Sequence, residues 1–172
     1  MLPNGGVGMV MGDVAGHGPA ASVVMGRLRS ALRAYSLEHD DPAEVLSRLD
    51  AKIAHFEPSA MATAIYAVTH PPFDQIRIAS AGHFLPIQLA PDGTTRSVDV
   101  PVSLPLGLDP GCERASGPVP MDPGSSMVLF TDELVERRSK NTHRSRLTTV
   151  NCGRPVIDEA DIPSHVKAGG SS

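Results

Sequence analysis

The chain has 172 residues, and 15 Lys and Arg against 19 Asp and Glu give it a formal net charge of −4. With 41% hydrophobic and 20% charged residues it reads as one globular domain with a core; it holds neither an apolar run of the roughly 18 residues a membrane span needs nor the basic-then-apolar start of a secretion signal. Two cysteines, Cys112 and Cys152, make neither a disulfide framework nor a zinc set, so a cytoplasmic location is expected, while the acidic balance and the lack of Trp argue against a nucleic-acid surface.

Val7–Met11 is a short apolar run that predicts a buried strand, closed by Gly12 and Asp13. Val14-Ala15-Gly16-His17-Gly18 then turns the chain into a helix with Pro19 in its first turn. Ala21, Val24, Met25, Leu28, Leu32 and Tyr35 recur at three- and four-residue steps and mark its apolar face. A second helix opens at Asp41-Pro42-Ala43-Glu44, where Asp41 can cap and Glu44 takes the place of a capping-box acid. Its predicted stripe is Val45, Leu46, Leu49, Ile53 and Phe56.

From Met61 the period changes to that of strands. Met61–Thr69 and Gln75–Ser80 flank the turn His70–Asp74 and predict an antiparallel hairpin. Pro86–Leu89 and Thr95–Val100 flank Pro91-Asp92-Gly93 and predict a second one. Pro101–Gly124, rich in Pro and Gly, reads as an ordered loop, and Met127–Phe130 as a last buried strand ending in Thr131-Asp132. Strand, two helices and then antiparallel strands predict an α+β fold with the helices packed on one face of the sheet. Residues 139–172 are net +2 where residues 1–138 are net −6; they show no helical or alternating period and are expected to be weakly ordered.

Two carboxylates stand out by position. Asp13 and Asp132 each close an apolar strand beside a turn, where exposed oxygens suit a hard cation, although such an Asp is more often a cap or a turn former. Gly16-His17-Gly18-Pro19-Ala20-Ala21 also fits G-x-G-x-x-A, the dinucleotide-binding fingerprint, with Glu38 20 residues after Gly18. That reading fails on context, because the acid leads into another helix and not out of a parallel strand. The seven histidines show no paired metal spacing. His17 reads as a turn residue and His83 as a structural hydrogen-bonding one. No serine sits in a nucleophile elbow, and no cysteine has an evident His partner.

Gly12-Asp13-Val14-Ala15-Gly16-His17-Gly18-Pro19-Ala20-Ala21 resembles the GDV-x-GHG-x-x-A signature of metal-dependent PP2C-type protein phosphatases, and in particular their SpoIIE-like bacterial branch. Met61-Ala62-Thr63-Ala64, Ala81-Gly82-His83, Leu104-Pro105-Leu106-Gly107 and Thr131-Asp132-Glu133-Leu134-Val135-Glu136-Arg137-Arg138 agree with that branch in the same order. The resemblance implies a PP2C-like sandwich of mostly antiparallel sheet with flanking helices. It also implies a pair of Mn²⁺ or Mg²⁺ ions whose activated water hydrolyses phosphoserine or phosphothreonine on a regulatory protein, by resemblance an anti-sigma-factor antagonist. On that basis Asp13 is a catalytic, metal-bridging carboxylate, the Val14 carbonyl a neighbouring metal ligand, and Asp132 the catalytic carboxylate on the second metal.

The chain departs from the branch in three places. No acidic motif of GGD-x-x-D type precedes Gly12, no strand-ending Asp-Asp pair follows Arg138, and Glu133 stands where glycine is usual. The expectation is therefore a partial phosphatase domain over residues 1–138, truncated at both ends, followed by a non-family tail over 139–172. The competing expectation is a catalytically dead fragment that serves as a protein-binding module.

Overall fold

The computed structural model describes residues 1–131, 148–151 and 154–156. The chain opens with β1 (Val7–Val14), followed by α1 (Pro19–Tyr35) and α2 (Pro42–Phe56). Eight further described strands are β2 (Ala62–Thr69), β3 (Gln75–Ala81), β4 (Ile87–Leu89), β5 (Thr95–Ser97), β6 (Val102–Ser103), β7 (Gly117–Pro120), β8 (Ser126–Leu129) and β9 (Thr148–Asn151). The last described element is β10 (Arg154–Val156). The fold is α+β, as expected. Among the described residues no helix is long and apolar enough to cross a membrane.

The strands form two sheets. The first runs β1-β2-β3, with β6 (parallel) and β7 (antiparallel) sharing the far edge of β3 end to end. The second is antiparallel throughout, in the order β10-β9-β8-β4-β5. Strand β2 is buried on both faces because its alternate side chains serve two cores. Ala62, Ala64, Tyr66 and Val68 meet Leu28, Leu32, Leu46, Leu49 and Ile53 of the helices. Ile65 and Ala67 face the second sheet with Met11, Ile78, Met127 and Leu129. Three layers result: helices, first sheet, second sheet.

Helix α2 shows how local sequence sets this packing. Asp41 Oδ1 accepts from the Ala43 amide at 3.1 Å, the N-cap bond that the sequence predicts. Glu44 closes no capping box; its carboxylate pairs instead with His39 Nδ1 at 3.0 Å and Arg48 at 3.2 Å. Leu46, Leu49 and Ile53 are essentially inaccessible, each contributing about 1.5–3 kcal/mol of apolar burial. Phe56 does not join that stripe. It is 66% exposed, since it ends the helix beyond the sheet, and its ring takes the edge of His55 and the Lys52 ammonium at 5.6 Å.

Further differences from the sequence reading have physical causes. Strand β1 continues through Asp13 to Val14 because β2 offers it a matching ladder, Asp13 opposite Thr63 and Val14 opposite Ala62. The expected loop Pro101–Gly124 contains both β6 and β7. In β7, Gly117 and Val119 are buried while Pro118 and Pro120 are exposed. Proline is tolerated there because β7 lies at a sheet edge. Of residues 139–172 only β9 and β10 are described, and they take their register from β8. In the β4–β5 turn, the Thr94 hydroxyl and amide donate to Asp92 and hold its carboxyl below the usual carboxylate range.

One buried polar contact ties the layers together. Asp50 lies on the apolar face of α2, 1% exposed, and its Oδ2 accepts from Arg114 Nη2 at 2.5 Å. Its Oδ1 accepts from the Gly107 amide at 2.7 Å, and Arg114 Nη1 donates to Ser103 Oγ and the Leu104 carbonyl. The segment Leu104–Gly107 is thereby held so close to α2 and the loop after it that a Cβ on Gly107 would collide with Ile53 Cγ2 and the Ala60 carbonyl oxygen. Removing one member of a buried ion pair leaves an uncompensated charge. Arg114→Ala is therefore expected to lower stability by about 3–5 kcal/mol in urea denaturation, and Asp50→Leu/Arg114→Met to recover part of that loss.

Candidate active site

Asp13 reaches its position through strand alternation. Met9 and Met11 point into the core between the sheets, so Asp13 continues that side of β1 past the end of the core. It is exposed, at the end of β1 that leads into α1. Gly12 makes the local approach possible, because a Cβ there would collide with the Thr63 carbonyl oxygen. The Val14 side chain is buried in the helix-side core, which leaves only its backbone for a ligand role. Beyond it the Ala15 amide donates to the Met61 carbonyl at 2.8 Å, and Gly16 and Gly18, both at positive φ, carry the chain past exposed His17 into α1.

Thr63 faces Asp13 across the ladder and connects it to His83. His83 is buried, with Nδ1 at 3.0 Å from Thr63 Oγ1 and Nε2 at 3.1 Å from the Phe130 carbonyl oxygen. A carbonyl only accepts, so Nε2 carries a proton, and in the neutral ring the Thr63 hydroxyl donates to Nδ1. One imidazole thus fastens the end of β2, in the first sheet, to the residue after β8, in the second. His83 is the structural hydrogen-bonding residue that the sequence suggests.

Two concavities meet at Asp13. A cavity of about 190 Å³ is lined by Asp13, Met61, Thr63, Gly82, His83 and Phe84, among others. A groove of about 370 Å³ runs between α1 and β1, with Asp13, Arg29, Arg33 and Thr131 on its walls. Thr131 immediately precedes Asp132, which lies outside the described residues. A larger cavity of about 390 Å³ lies at the opposite end of β2 and β3, near Asp40, His70, Asp74 and Arg77, and shares no residue with this site.

The Asp13 carboxylate and the Val14 carbonyl are oxygen donors of the kind that hard divalent cations take. They do not make a complete site: among the described residues no three His, Cys, Asp or Glu side chains gather to hold a metal ion. Sequence reasoning singled out Asp13 and His83, and both line the cavity of about 190 Å³. It missed the wall formed by Met61 and Phe84, although Met61 opens a motif it singled out. It also missed the Asp50–Arg114 pair, whose one signal is a carboxylate among Leu46, Leu49 and Ile53 on the apolar stripe.

Comparison with known proteins gives this geometry a context. The family described as Stage II sporulation protein E (SpoIIE) matches residues 3–161. Among solved structures, the RsbU and RsbW domains of Rv1364c from Mycobacterium tuberculosis share 29% identity at a TM-score of 0.69, over 80% of this chain and 38% of that one. RsbX in complex with magnesium shares 18% identity at a TM-score of 0.63, over 78% of this chain and 64% of that one. The PP2C phosphatase domain with a fragment of the regulatory domain of SpoIIE from Bacillus subtilis shares 12% identity at a TM-score of 0.61, over 80% and 44%. The chain thus spans between 38% and 64% of the length of these proteins. The last two likenesses show a shared PP2C-type fold.

The histidine tie is open to direct measurement. His83→Leu removes two part-buried hydrogen bonds and leaves the Thr63 hydroxyl without its ring partner. It is expected to lower unfolding free energy by about 1–3 kcal/mol in urea titration. An unchanged midpoint would show that the tie contributes nothing.

Proposed function

The chain belongs to the SpoIIE family, and from that premise we propose that it is a PP2C-type phosphatase domain that hydrolyses phosphoserine or phosphothreonine on a regulatory protein. The substrate that best suits this reading is an anti-sigma-factor antagonist. The observation that carries the proposal is the placement of Asp13 at the end of β1 that leads into α1, lining the same groove as Thr131, the residue before Asp132.

In this reading Asp13 and the Val14 carbonyl hold one face of a Mn²⁺ or Mg²⁺ site and Asp132 contributes the second carboxylate. When bound, two such ions supply an activated water and offset charge on the phosphoryl oxygens. The chain's own residues do the positioning. Thr63 and His83 fix the end of β2 opposite Asp13, and Arg29 and Arg33, which line the α1–β1 groove, offer positive charge to an anionic substrate. The proposed domain spans residues 1–138.

A second reading, a catalytically inactive module that still binds the regulatory protein, is favoured by the single carboxylate that the described residues bring to the site. Two divalent ions concentrate four positive charges and need several carboxylates to neutralise them and fix their spacing. Looseness of about 1 Å costs on the order of 100-fold in rate. The 172-residue chain is therefore expected to bind Mn²⁺ weakly by calorimetry and to release phosphate from a phosphoserine peptide near background. Asp13→Asn should lower that rate by far less than about 100-fold. Robust turnover abolished by Asp13→Asn would show instead that further residues complete the site.

A further inference from the structure

Two large apolar side chains stand exposed beside the proposed catalytic carboxylate. Met61 is 41% exposed and Phe84 49%, and both line the cavity of about 190 Å³ that Asp13 also lines. Scattered surface apolar residues need no explanation, but two that share one concavity with a candidate catalytic group do.

Phe84 is held in place. Its ring stacks on Phe130, with centroids 5.7 Å apart and planes 23° apart, and meets the His83 ring edge-on at 6.3 Å. His83 is itself fastened to Thr63 and to the Phe130 carbonyl. Gly82 sets the direction of this segment: its φ is +65°, and a Cβ there would sit 2.6 Å from Pro105 Cγ, so the turn into His83 and Phe84 is tightly constrained. A pre-positioned ring loses little conformational freedom when something covers it. Met61, an unbranched and polarizable side chain on the same cavity, adapts to whatever shape lies against Phe84.

Size identifies the occupant. Small-molecule pockets occupy roughly 300–1,000 Å³, so this cavity suits a single side chain of a larger partner. Among the described residues its one carboxylate is Asp13, and Ala15, Met61, Ala62 and Phe84 supply apolar lining. A polypeptide that presents a phosphorylated residue at Asp13 must lay a neighbouring residue over Met61 and Phe84. We infer that Met61 and Phe84 form a specificity subsite for one apolar side chain adjacent to the phosphorylated residue of the protein substrate. The inference rests on the phosphatase reading above and adds to it the class of sequence that the site prefers. An acidic residue at the same place meets Asp13 and an apolar wall and is disfavoured.

Fluorescence anisotropy with labelled phosphoserine peptides tests this on the full 172-residue chain in the presence of Mn²⁺. The peptides differ only in the residue on either side of phosphoserine: Gly, Leu or Asp. A Leu peptide is expected to bind about tenfold tighter than the Gly peptide, and the Asp peptide more weakly than both. Phe84→Ser and Met61→Ser are each expected to bring the Leu-to-Gly ratio close to one. Either variant suffices if the other does not fold. Equal binding of the Leu and Gly peptides, including no binding of either, overturns the subsite. So does a Phe84-dependent self-association seen by sedimentation, because the patch would then be covered by a second copy of the chain. Leu preference that persists with an unphosphorylated peptide of equal affinity overturns the phosphatase reading and leaves the apolar subsite standing.

Discussion

The site depends on one buried imidazole. His83 spends both ring nitrogens on partners from different sheets, Thr63 on β2 and the Phe130 carbonyl after β8. Two stacked sheets are least secured at their ends, where apolar contact runs out. A bridging side chain with both ring nitrogens bonded fixes their separation there. Asp13, Thr63 and Phe84 all lie within that fixed frame. The same histidine therefore sets where β1 presents its carboxylate and where the aromatic wall stands.

The helix layer supports the frame from the other side. Asp50 and Arg114 hold Leu104–Gly107 against α2, and Leu106 in turn exchanges two backbone hydrogen bonds with Ala62, the residue before Thr63. A chain of contacts thus runs from a buried ion pair through Leu106 to the strand opposite Asp13. Desolvating two charges costs about as much as their attraction returns. Position, more than net stability, is what the pair contributes: it fixes the approach of the loop whose Leu106 enters the helix-side core.

Much of this was legible in the sequence because local patterns matched global ones. The three- and four-residue steps of Leu28, Leu32, Leu46, Leu49 and Ile53 mark the helix faces that the structure buries, and the turn His70–Asp74 predicts the β2–β3 hairpin. Asp13 at a strand end was visible as a candidate ligand. Strand β7 was not, since Gly-Pro-Val-Pro looks like a loop until β3 provides an edge on which its prolines face outward. The Asp50–Arg114 pair joins residues 64 apart, and no local period encodes such a contact. Phe84 carries no local signal, because the cavity it lines is assembled by three separate segments.

We propose that Asp13 and Asp132 serve one metal site, at the end of the sandwich where His83 joins the two sheets. A crystal structure of the chain grown with Mn²⁺ measures this most directly. The account predicts the two carboxylates within roughly 4–8 Å of each other, the span that a two-metal site requires, with metal density beside Asp13 and the Val14 carbonyl. Carboxylates more than about 12 Å apart in a well-ordered structure would contradict it.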